Sequence, residues 1–522
     1  MKQKRISLLL LLPLLWIALF TASSDAASNA LPHQAFPPSW QAALDRFAAN
    51  QTIPGAVVIV KSPEWGVRVG VTGYANLSTK EKMSPDLHFR IGSVTKVFTA
   101  QMVLLLEQQG RIKLTDPVLR YLGDNPAVAA IPNIGKVTIA DCLQMKSGIA
   151  GYTEHPTIGP LLDVDPGKQW TPTELLRVLT SGVANPLKPD FAPGDTYPNP
   201  YWTALKGPNV PAPPEFAPYP WWNYSNSNYI LLGLVVENVS GMPVEEAVQN
   251  LICRRLGLSD TLFAVDLKNP EKMMRGYSRL DAMRNPKVSD WRDVTDMNPS
   301  CAWAAGAGIS TPWDLLRLLE SISKTGELLN KGTRQKWLSF VSADIHWAGV
   351  QYGMGGIMQL QRPYGDARGH GGAYRGFKTV MYHFRDSETS LIIATNTWDG
   401  QPEVDIMDAI MTLAMSAPTE PQPAPDRTAV LGKNNGLTLA WQPGSAYGDA
   451  YTVFWGTRPD LVEAAAKDSH QGVEMKTTSD PHAAIAGLAL DKTYFWRVET
   501  VPAQSTAISG PLWRFKTGTR PN

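Results

Sequence analysis

Apolar residues recur with two different periods along the chain, and the changes of period divide it into segments. SWQAALDRFAAN (39–50) has the period of an amphipathic helix, whereas GAVVIVKS and WGVRVGVTGYAN are typical of two strands in a hairpin. From about residue 97 to 300 the pattern is mainly helical, and strand patterns return in GFKTVMYHFRD and TSLIIATN before a helix at 402–415. This order predicts an α+β fold, an antiparallel sheet flanked by helices with a mainly helical region inserted.

The pattern changes again after residue 415. SAPTEPQPAPD (416–426) is rich in proline and predicts a linker, and residues 427–522 contain short alternating strands such as GLTLAWQP, AYTVFWGT and KTYFWRVETV. Strands of this length predict a C-terminal all-β sandwich. Since no candidate catalytic cluster lies in it, we expect a spacer or a module that binds a polymer or a protein.

The N-terminus has the three parts of a secretory signal peptide. Lys2, Lys4 and Arg5 precede an apolar run from 6 to 20, and small and polar residues continue to Ala30. The alternative is an uncleaved membrane anchor, but the run is shorter than the roughly 20 residues that span a bilayer. We therefore expect a signal peptide at 1–30, a main domain at 31–415, and a secreted or periplasmic protein.

Composition and charge exclude several classes of function. The 522 residues allow more than one domain, and the formal net charge of +1 argues against a nucleic-acid or anionic-membrane partner. Cys142, Cys253 and Cys301 are too few and too scattered for a disulfide framework or a close-spaced metal site. We expect no metal and no other cofactor.

The stretch FRIGSVTKVFTA (89–100) contains the first candidate catalytic pair. Ser93 precedes a long apolar helix and is predicted to be its N-cap, but Lys96 stands where a capping box carries Glu or Gln. Burial of Lys96 would lower its pKa from about 10.4 and provide a neutral amine as base for Ser93. The Ser-x-x-Lys spacing alone is weak support, because residues 321–324 repeat it.

A second candidate element is Tyr224-Ser225-Asn226, just before another apolar helix. A tyrosine near a Ser/Lys pair can relay the serine proton, and Asn226 can donate to a substrate carbonyl and hold Lys96. A Tyr-x-Asn sequence is usually only a turn. Its significance here comes from its combination with Ser93 and Lys96.

These motifs resemble those of the serine β-lactamase and D-alanyl-D-alanine carboxypeptidase family, in its class C branch. Members carry Ser-x-x-Lys, then Tyr-x-Asn, then a Lys- or His-x-Gly triplet on a core strand. The resemblance covers about residues 37–415 and includes, in the family's order, GRIKLTDPV, MKSGI, FAPG, GAGISTPWDL and GHGGAYRGF. The tail is similar to a fibronectin type III domain, notably in YFWRVETV and GPLWRFKT.

Three triplets compete for the third motif of the family. Lys324-Thr-Gly and Lys516-Thr-Gly match the lysine version, but the first closes a predicted helix and the second ends the sandwich. His370-Gly371-Gly372 lies beside core strands, so we assign the triplet there. By resemblance, the backbone N–H groups of Ser93 and Ala373 would form the oxyanion hole.

The resemblance implies a serine hydrolase that acts through an acyl-enzyme on a small-molecule or peptide substrate. The leading interpretation is a D-alanyl-D-alanine carboxypeptidase-like peptidase, with an esterase or class C-like β-lactamase as alternative and a silent binding protein as a further one. Gly371 lacks the hydroxyl that often helps to bind a substrate carboxylate, and Arg375 is either its substitute or a structural ion pair. An aromatic-rich insertion between FAPGDTY and WWNYSN is predicted to cover the active-site entrance.

Overall fold

The structure, a computed structural model, describes most of the chain from residue 30 onward. The described residues are 30–155, 158–180, 196–197, 219–220, 222–266, 268–279, 290–343, 347, 349–416, 419–422, 428–429, 431, 435–442, 450–466, 469–501 and 508–518. The predicted signal peptide and the predicted active-site cover therefore lie almost entirely outside the described residues.

The elements are numbered in chain order. The helices are α1 Pro38–Ala49, α2 Thr95–Gln108, α3 Leu119–Leu122, α4 Pro126–Ala129, α5 Ile139–Leu143, α6 Ile158–Val164, α7 Pro172–Arg177, α8 Asn226–Ser240, α9 Val244–Val248, α10 Arg254–Leu256, α11 Trp303–Gly306, α12 Pro312–Glu320, α13 Lys331–Trp337, α14 Pro402–Ser416 and α15 Pro459–Ala464. The strands up to the end of the main domain are β1 Gln34–Ala35, β2 Gly55–Ser62, β3 Gly66–Asn76, β4 Glu81–Lys82, β5 Phe89–Arg90, β6 Thr196–Tyr197, β7 Tyr219–Pro220, β8 Leu262–Phe263, β9 Tyr277–Ser278, β10 Arg292–Asp293, β11 Gly308–Ser310, β12 Phe340–Ser342, β13 Val350–Gly353, β14 Ile357–Leu360, β15 Ala367–Tyr374, β16 Phe377–Phe384 and β17 Thr389–Thr395. The later strands are β18 Thr419–Gln422, β19 Thr428–Ala429, β20 Leu437–Gln442, β21 Ala450–Gly456, β22 Glu474–Thr478, β23 His482–Ile485, β24 Thr493–Val501, β25 Ile508–Ser509 and β26 Trp513–Thr517.

One large sheet joins the two ends of the main domain. Its strand order is β1-β3-β2-β17-β16-β15-β14-β13-β12, with β4 beside β3. At its centre β2 runs antiparallel to β17, and Val60 lies opposite Leu391. Both strands are buried along almost their whole length, as their continuous apolar runs indicate. The prediction that the first and last parts of the domain share one sheet is confirmed.

Two hydrophobic cores lie on opposite faces of this sheet. On one face Trp40 of α1 and Ile410 of α14 pack with sheet residues such as Ile393. On the other face Ile392 packs into a larger core that includes residues of α2 and α8. Helices therefore cover both faces, which confirms the α+β prediction.

The C-terminal segment forms two further sheets, as predicted for an all-β region. Their orders are β18-β20-β23 and β19-β26-β24-β21-β22, with β25 beside β24, and Trp441, Trp496 and Trp513 share their core. Strand β18 lies inside segment 416–426, which the sequence predicts to be a linker. Because β18 is an edge strand, the prolines of this segment are tolerated there.

The sandwich contacts the main domain at the β2–β3 hairpin. Arg68, which is 2% exposed, forms an ion pair with Glu463 of α15. The indole N–H of Trp513 donates to the Glu64 carboxylate at 3.0 Å. In the sheet order, β3 is separated from β15 by three strands, so this contact is remote from the triplet at 370–372.

The apolar run at 6–20 lies outside the described residues, so the predicted signal peptide stays a prediction. Among them, no helix is both long and apolar enough to cross a membrane. Cys142, Cys253 and Cys301 are buried free thiols, so no disulfide joins any two of them.

Candidate active site

Ser93, the predicted nucleophile, lies in a tight turn rather than at a helix cap. Gly92–Val94 forms one turn of 3₁₀ helix that leads directly into α2. The predicted N-cap role of Ser93 is wrong, because Val94 holds the cap position and no side chain caps α2. The Ser93 hydroxyl instead contacts the Lys96 amine, with Oγ and Nζ 3.0 Å apart.

Lys96 is buried without a carboxylate partner among the described residues. Its side chain is fully covered, and its Nζ donates to the Ala305 carbonyl oxygen at 2.6 Å. Desolvation holds the pKa of Lys96 well below the usual range of a lysine. A neutral amine can keep its bond to Ala305 and use its lone pair to accept the Ser93 proton.

Tyr224 is the second group in contact with the serine. Its ring centroid lies 5.0 Å from Lys96 Nζ, and the nearby Ser93 hydroxyl acts on the pKa of its phenol. Burial raises the pKa of Tyr224 above its ordinary value, so the phenol is neutral at physiological pH. A neutral phenol can accept one proton while it donates another, as a relay requires.

His370 of the predicted triplet lies against Tyr224. The two ring centroids are 6.3 Å apart, and the imidazole is 1% exposed. Burial, together with the charge of Lys96, lowers the pKa of His370 to about 3. The imidazole is therefore neutral, and its buried Nε2 has no hydrogen-bond partner among the described residues.

Close backbone approach places the predicted oxyanion donors side by side. A Cβ atom at Gly372 would lie 1.9 Å from the Ile91 carbonyl oxygen and 3.3 Å from the Ser93 nitrogen. A Cβ atom at Gly92, whose φ is +50°, would lie 2.5 Å from the Ala373 nitrogen. Only glycine fits at these two positions, which lets strand β15 contact the serine turn.

Among the described residues, no strand continues the pairing of β15 beyond Gly369 on the side of β14. Strand β14 pairs with β15 only as far as Gly369, and Ala373 is exposed. Gly371 has no tight neighbour, since a Cβ there would be 3.7 Å from its nearest atom. Packing therefore does not require glycine at 371.

The two remaining predicted site residues make other contacts. Asn226 begins α8, and its Nδ2 donates to Thr153 Oγ1 at 2.9 Å rather than to Lys96. Arg375 forms an ion pair with Asp163 of α6, which agrees with the structural alternative. The Lys96 amine is thus hydrogen-bonded to Ser93, as predicted, and to the Ala305 carbonyl oxygen. The sequence did not identify Ala305 as a partner.

An aromatic cluster behind Tyr224 was also missed. The Trp347 ring lies 5.4 Å from Tyr224 and 5.3 Å from Trp222, and Tyr352 lies 6.0 Å from His370. Trp222 is fully buried, whereas Trp347 is 37% exposed. The sequence WWNYSN placed Trp222 next to the motif, but β12 and β13, which flank Trp347, gave no such signal.

The competing motifs do not join this cluster. Lys324 forms an ion pair with Glu320 at 3.2 Å, in the same turn as the buried Ser321. Lys516 forms one with Asp491 at 2.9 Å in the sandwich. Both lysines are therefore paired with carboxylates, unlike Lys96.

Comparisons with known proteins agree with this geometry. Residues 40–415 match the family described as Beta-lactamase. Penicillin-binding protein 4* of Bacillus subtilis is 23% identical over 62% of this chain, which spans 64% of that protein. D-aminopeptidase of Brucella anthropi is 24% identical over 79% of this chain and 70% of its own length.

A solved structure extends the likeness to three dimensions. A D-stereospecific amidohydrolase from Streptomyces sp. has a TM-score of 0.58 and 30% identity, over 71% of this chain and 97% of its own. Both the family match and this alignment cover more than half of the chain. The protein therefore belongs to the β-lactamase family and is a serine hydrolase.

Proposed function

We propose that the protein is a secreted serine hydrolase that cleaves amide bonds of D-amino acid peptides and amides through an acyl-enzyme. The contact of Ser93 with both Lys96 and Tyr224 carries this proposal. It provides a nucleophile, a desolvated base and a neutral relay at one point, the arrangement that activates a hydroxyl group.

In the acylation step Ser93 Oγ attacks the substrate carbonyl carbon and forms a C–O bond. Its proton passes to the neutral Lys96 amine, and the carbonyl oxygen gains charge between the N–H groups of Ser93 and Ala373. Tyr224 then gives its proton to the leaving nitrogen and takes one from the protonated Lys96 while the C–N bond breaks. The leaving group departs as a neutral amine and the acyl group remains on Ser93.

Deacylation repeats these steps with water as the nucleophile. Water attacks the ester carbon and gives one proton to Tyr224, which passes its own proton to the Lys96 amine. The protonated Lys96 then returns a proton to the Ser93 oxygen as the C–O bond breaks. No carboxylate contacts Ser93 or Lys96 among the described residues. Tyr224 and Lys96 therefore carry the proton in both acylation and deacylation.

The contacts of Arg375 bear on which D-amino acid substrate is preferred. A carboxypeptidase binds a free C-terminal carboxylate, but Arg375 is already paired with Asp163 and Gly371 carries no hydroxyl. His370 is neutral and supplies no cation. We therefore expect higher activity on D-amino acid amides, and on peptides with an amino-terminal D-residue, than on substrates that present a terminal carboxylate.

An esterase is the second candidate, and the same observation favours it. An ester needs no carboxylate anchor, and its alkoxide leaving group requires less protonation than an amine. Because an ester is intrinsically more reactive than an amide, activity on esters alone would identify an esterase.

Active-site labelling combined with a substrate panel tests the proposal. A fluorophosphonate probe should label Ser93, and Ser93→Ala should remove the label while Ser321→Ala, the matched Ser-x-x-Lys control, retains it. The D-enantiomer of phenylalanine amide should react at least about 10-fold faster than the L-enantiomer. Label retained in Ser93→Ala contradicts the nucleophile, and equal rates for both enantiomers contradict the D-amino acid assignment.

A single substitution tests whether the missing hydroxyl at position 371 weakens binding of a substrate carboxylate. Gly371→Ser restores the hydroxyl at a position where a Cβ atom has room. We expect it to raise kcat/KM for D-Ala-D-Ala peptides relative to D-amino acid amides, with Gly371→Ala as the control that adds only the methyl group. An unchanged ratio in Gly371→Ser would contradict this basis for specificity.

We also infer that the C-terminal sandwich is a fibronectin type III-like module and that the chain is exported. The strand orders β18-β20-β23 and β26-β24-β21-β22 match the division of such sandwiches into two Greek-key sheets. Export rests on the basic and apolar pattern of residues 1–30. N-terminal sequencing of protein recovered from the medium or periplasm tests export, and it should find a terminus near residue 27 or 31.

A further inference from the structure

A basic pocket lies on the main sheet beside, but separate from, the active site. It is a cavity of about 370 Å³ whose charged and titratable lining residues are Lys324, Arg334, Arg368, His383, Arg385 and Glu388. None of them contacts Ser93, Lys96 or Tyr224 in the described structure. Four cations and one carboxylate thus share one cavity in a chain whose formal net charge is only +1.

The arginines of this basic pocket lack acidic partners. Among the described residues, no carboxylate lies within ion-pair distance of Arg334, Arg368 or Arg385. Arg368 Nε donates to the neutral Gln359 amide oxygen at 2.8 Å, and Arg334 Nη2 donates to the Ser323 carbonyl at 2.8 Å. Neither bond neutralises the charge, so these arginines keep their positive charge in the pocket, whereas Lys324 is paired with Glu320 at 3.2 Å.

The cations also act on one another across the pocket. The charge of Arg385 lowers the pKa of Arg368 in addition to desolvation, and it does so more strongly than Asp366 opposes it. His383 lies directly opposite Arg368 in the β15–β16 pair, and its Nδ1 contacts Ser390 Oγ at 3.1 Å. A group of like charges held together in this way is relieved by an anion.

We propose that the basic pocket binds a phosphate group, either free or as part of a phosphate ester. Arg guanidinium groups bind phosphate through paired N–H donors, and Lys324 adds a further charge. A phosphate carries about 1.5 to 2 negative charges at neutral pH, so it offsets up to two of these cations where a carboxylate offsets one. The cavity volume falls within the usual range for small ligands and leaves room for an ester substituent.

The position of Arg368 brings this site close to the catalytic strand. Arg368 and His370 are two residues apart on β15, so their side chains lie on the same face of the sheet, about 7 Å apart along the strand. The two groups face different surroundings, since His370 contacts Tyr224 and Tyr352 whereas Arg368 lies 5.3 Å from the Phe340 ring. The phosphate site is therefore a second binding site beside the active site.

Calorimetric titration of the full chain with inorganic phosphate, at low ionic strength, tests the site. We expect saturable binding with a Kd of about 1 mM or lower, weakened at least about 5-fold in Arg385→Gln. Arg385 is exposed and makes no side-chain hydrogen bond in the described structure, so its loss does not endanger folding. Arg317→Gln, an exposed arginine paired with Glu327 outside the pocket, is the matched control and should bind as the parent does.

Two further arms distinguish this site from the active site and from non-specific anion binding. Protein phosphonylated at Ser93 by a fluorophosphonate, with loss of fluoride, should still bind phosphate, whereas loss of binding would place the anion in the active site and overturn the proposal. Acetate that binds as tightly as phosphate, or Arg385→Gln that binds like the parent, would also overturn it. Tighter binding of glycerol phosphate than of inorganic phosphate identifies an ester as the ligand, and the reverse order identifies free phosphate.

Discussion

The Nζ atom of Lys96 lies 2.6 Å from the carbonyl oxygen of Ala305, and no carboxylate pairs with it among the described residues. A backbone carbonyl fixes the position of the amine but adds no full negative charge. The amine is therefore oriented towards Ser93 without the stabilisation of its protonated form that an Asp or Glu would give. This pairing allows a lysine to act as the base.

Lys96→Met should remove the base while keeping the volume of the buried side chain. We expect kcat to fall by about 10²–10⁴-fold, the usual contribution of a general base. Steady-state kinetics on a p-nitrophenyl ester measures the loss, and Lys516→Met, taken from the competing triplet in the sandwich, should keep full activity. A kcat in Lys96→Met within a few-fold of the parent would contradict the role of Lys96.

The pH profile should report the depressed pKa of Lys96. Only the deprotonated amine accepts the Ser93 proton, so kcat/KM should rise with pH through the pKa of Lys96 in the free enzyme. Because burial lowers that pKa, the rise should end well below the lysine reference of about 10.4. Tyr224→Phe should lower the rate but leave the midpoint of the rise in place, and a midpoint near pH 10 would refute the desolvated amine.

His370 should make the folded protein sensitive to acid. Its pKa is about 3 in the folded state against about 6.5 when unfolded, so the unfolded chain binds more protons between these values. Stability is fully present above pH 6.5 and falls by up to about 1.4 kcal/mol for each pH unit below it. His383, whose pKa is lowered to about 4, adds to the same loss.

Denaturant unfolding between pH 4 and 7 measures this effect. His370→Gln, which keeps a polar side chain without a titrating ring, should reduce the slope of stability against pH. An identical slope in the parent and in His370→Gln would show that His370 is not buried as a neutral imidazole.

Neighbouring glycines of the triplet should differ sharply in their tolerance of a methyl group. Gly372→Ala places Cβ 1.9 Å from the Ile91 carbonyl oxygen, so the serine turn and β15 must move apart. Since loss of one oxyanion donor costs about 10²–10³ in kcat, we expect a loss of that size. Gly371→Ala should stay within about 3-fold, and equal effects of the two variants on kcat would argue against the oxyanion geometry.

Trp347 should position Tyr224 through a contact between their rings rather than through a hydrogen bond. An aromatic contact of this kind contributes about 0.5–1.5 kcal/mol, so Trp347→Ala should lower kcat by about 2–10-fold. Trp347→Phe should restore most of it if the ring contact is responsible. A change in KM alone, with kcat unaffected, would instead assign Trp347 to substrate binding.

The sequence predicts the sheet, and the structure brings the candidate residues Ser93, Lys96, Tyr224 and His370 together, because both follow local patterns. A few consecutive residues are enough to recognise the apolar runs of β2 and β17. The same holds for the motifs around Ser93, Tyr224 and His370. The contacts of Ala305, Trp347 and Asp163 are not, because each joins residues far apart in the chain. The predicted N-cap role of Ser93 was wrong for a related reason. The turn at Gly92–Val94 contacts β15 at Gly372, which is far away in the chain.

The net charge of the chain was also a poor guide to its surface. The value of +1 is a sum over all charged residues. It does not distinguish an arginine that is paired, such as Arg317 with Glu327, from the arginines near β15 that have no ion-pair partner among the described residues. Charge per chain bears on solubility and non-specific attraction. It says nothing about which cations the fold brings together.

The pairing of β2 with β17 has a consequence for how the chain is made. Strand β2 pairs with β3 directly after it in the chain, but the partner of its other edge follows more than three hundred residues later, so that edge stays unpaired until nearly the whole domain has been synthesised. Long-range pairing of this kind slows folding and leaves an apolar strand edge open to aggregation. The main sheet can therefore be completed only after β17 has been synthesised.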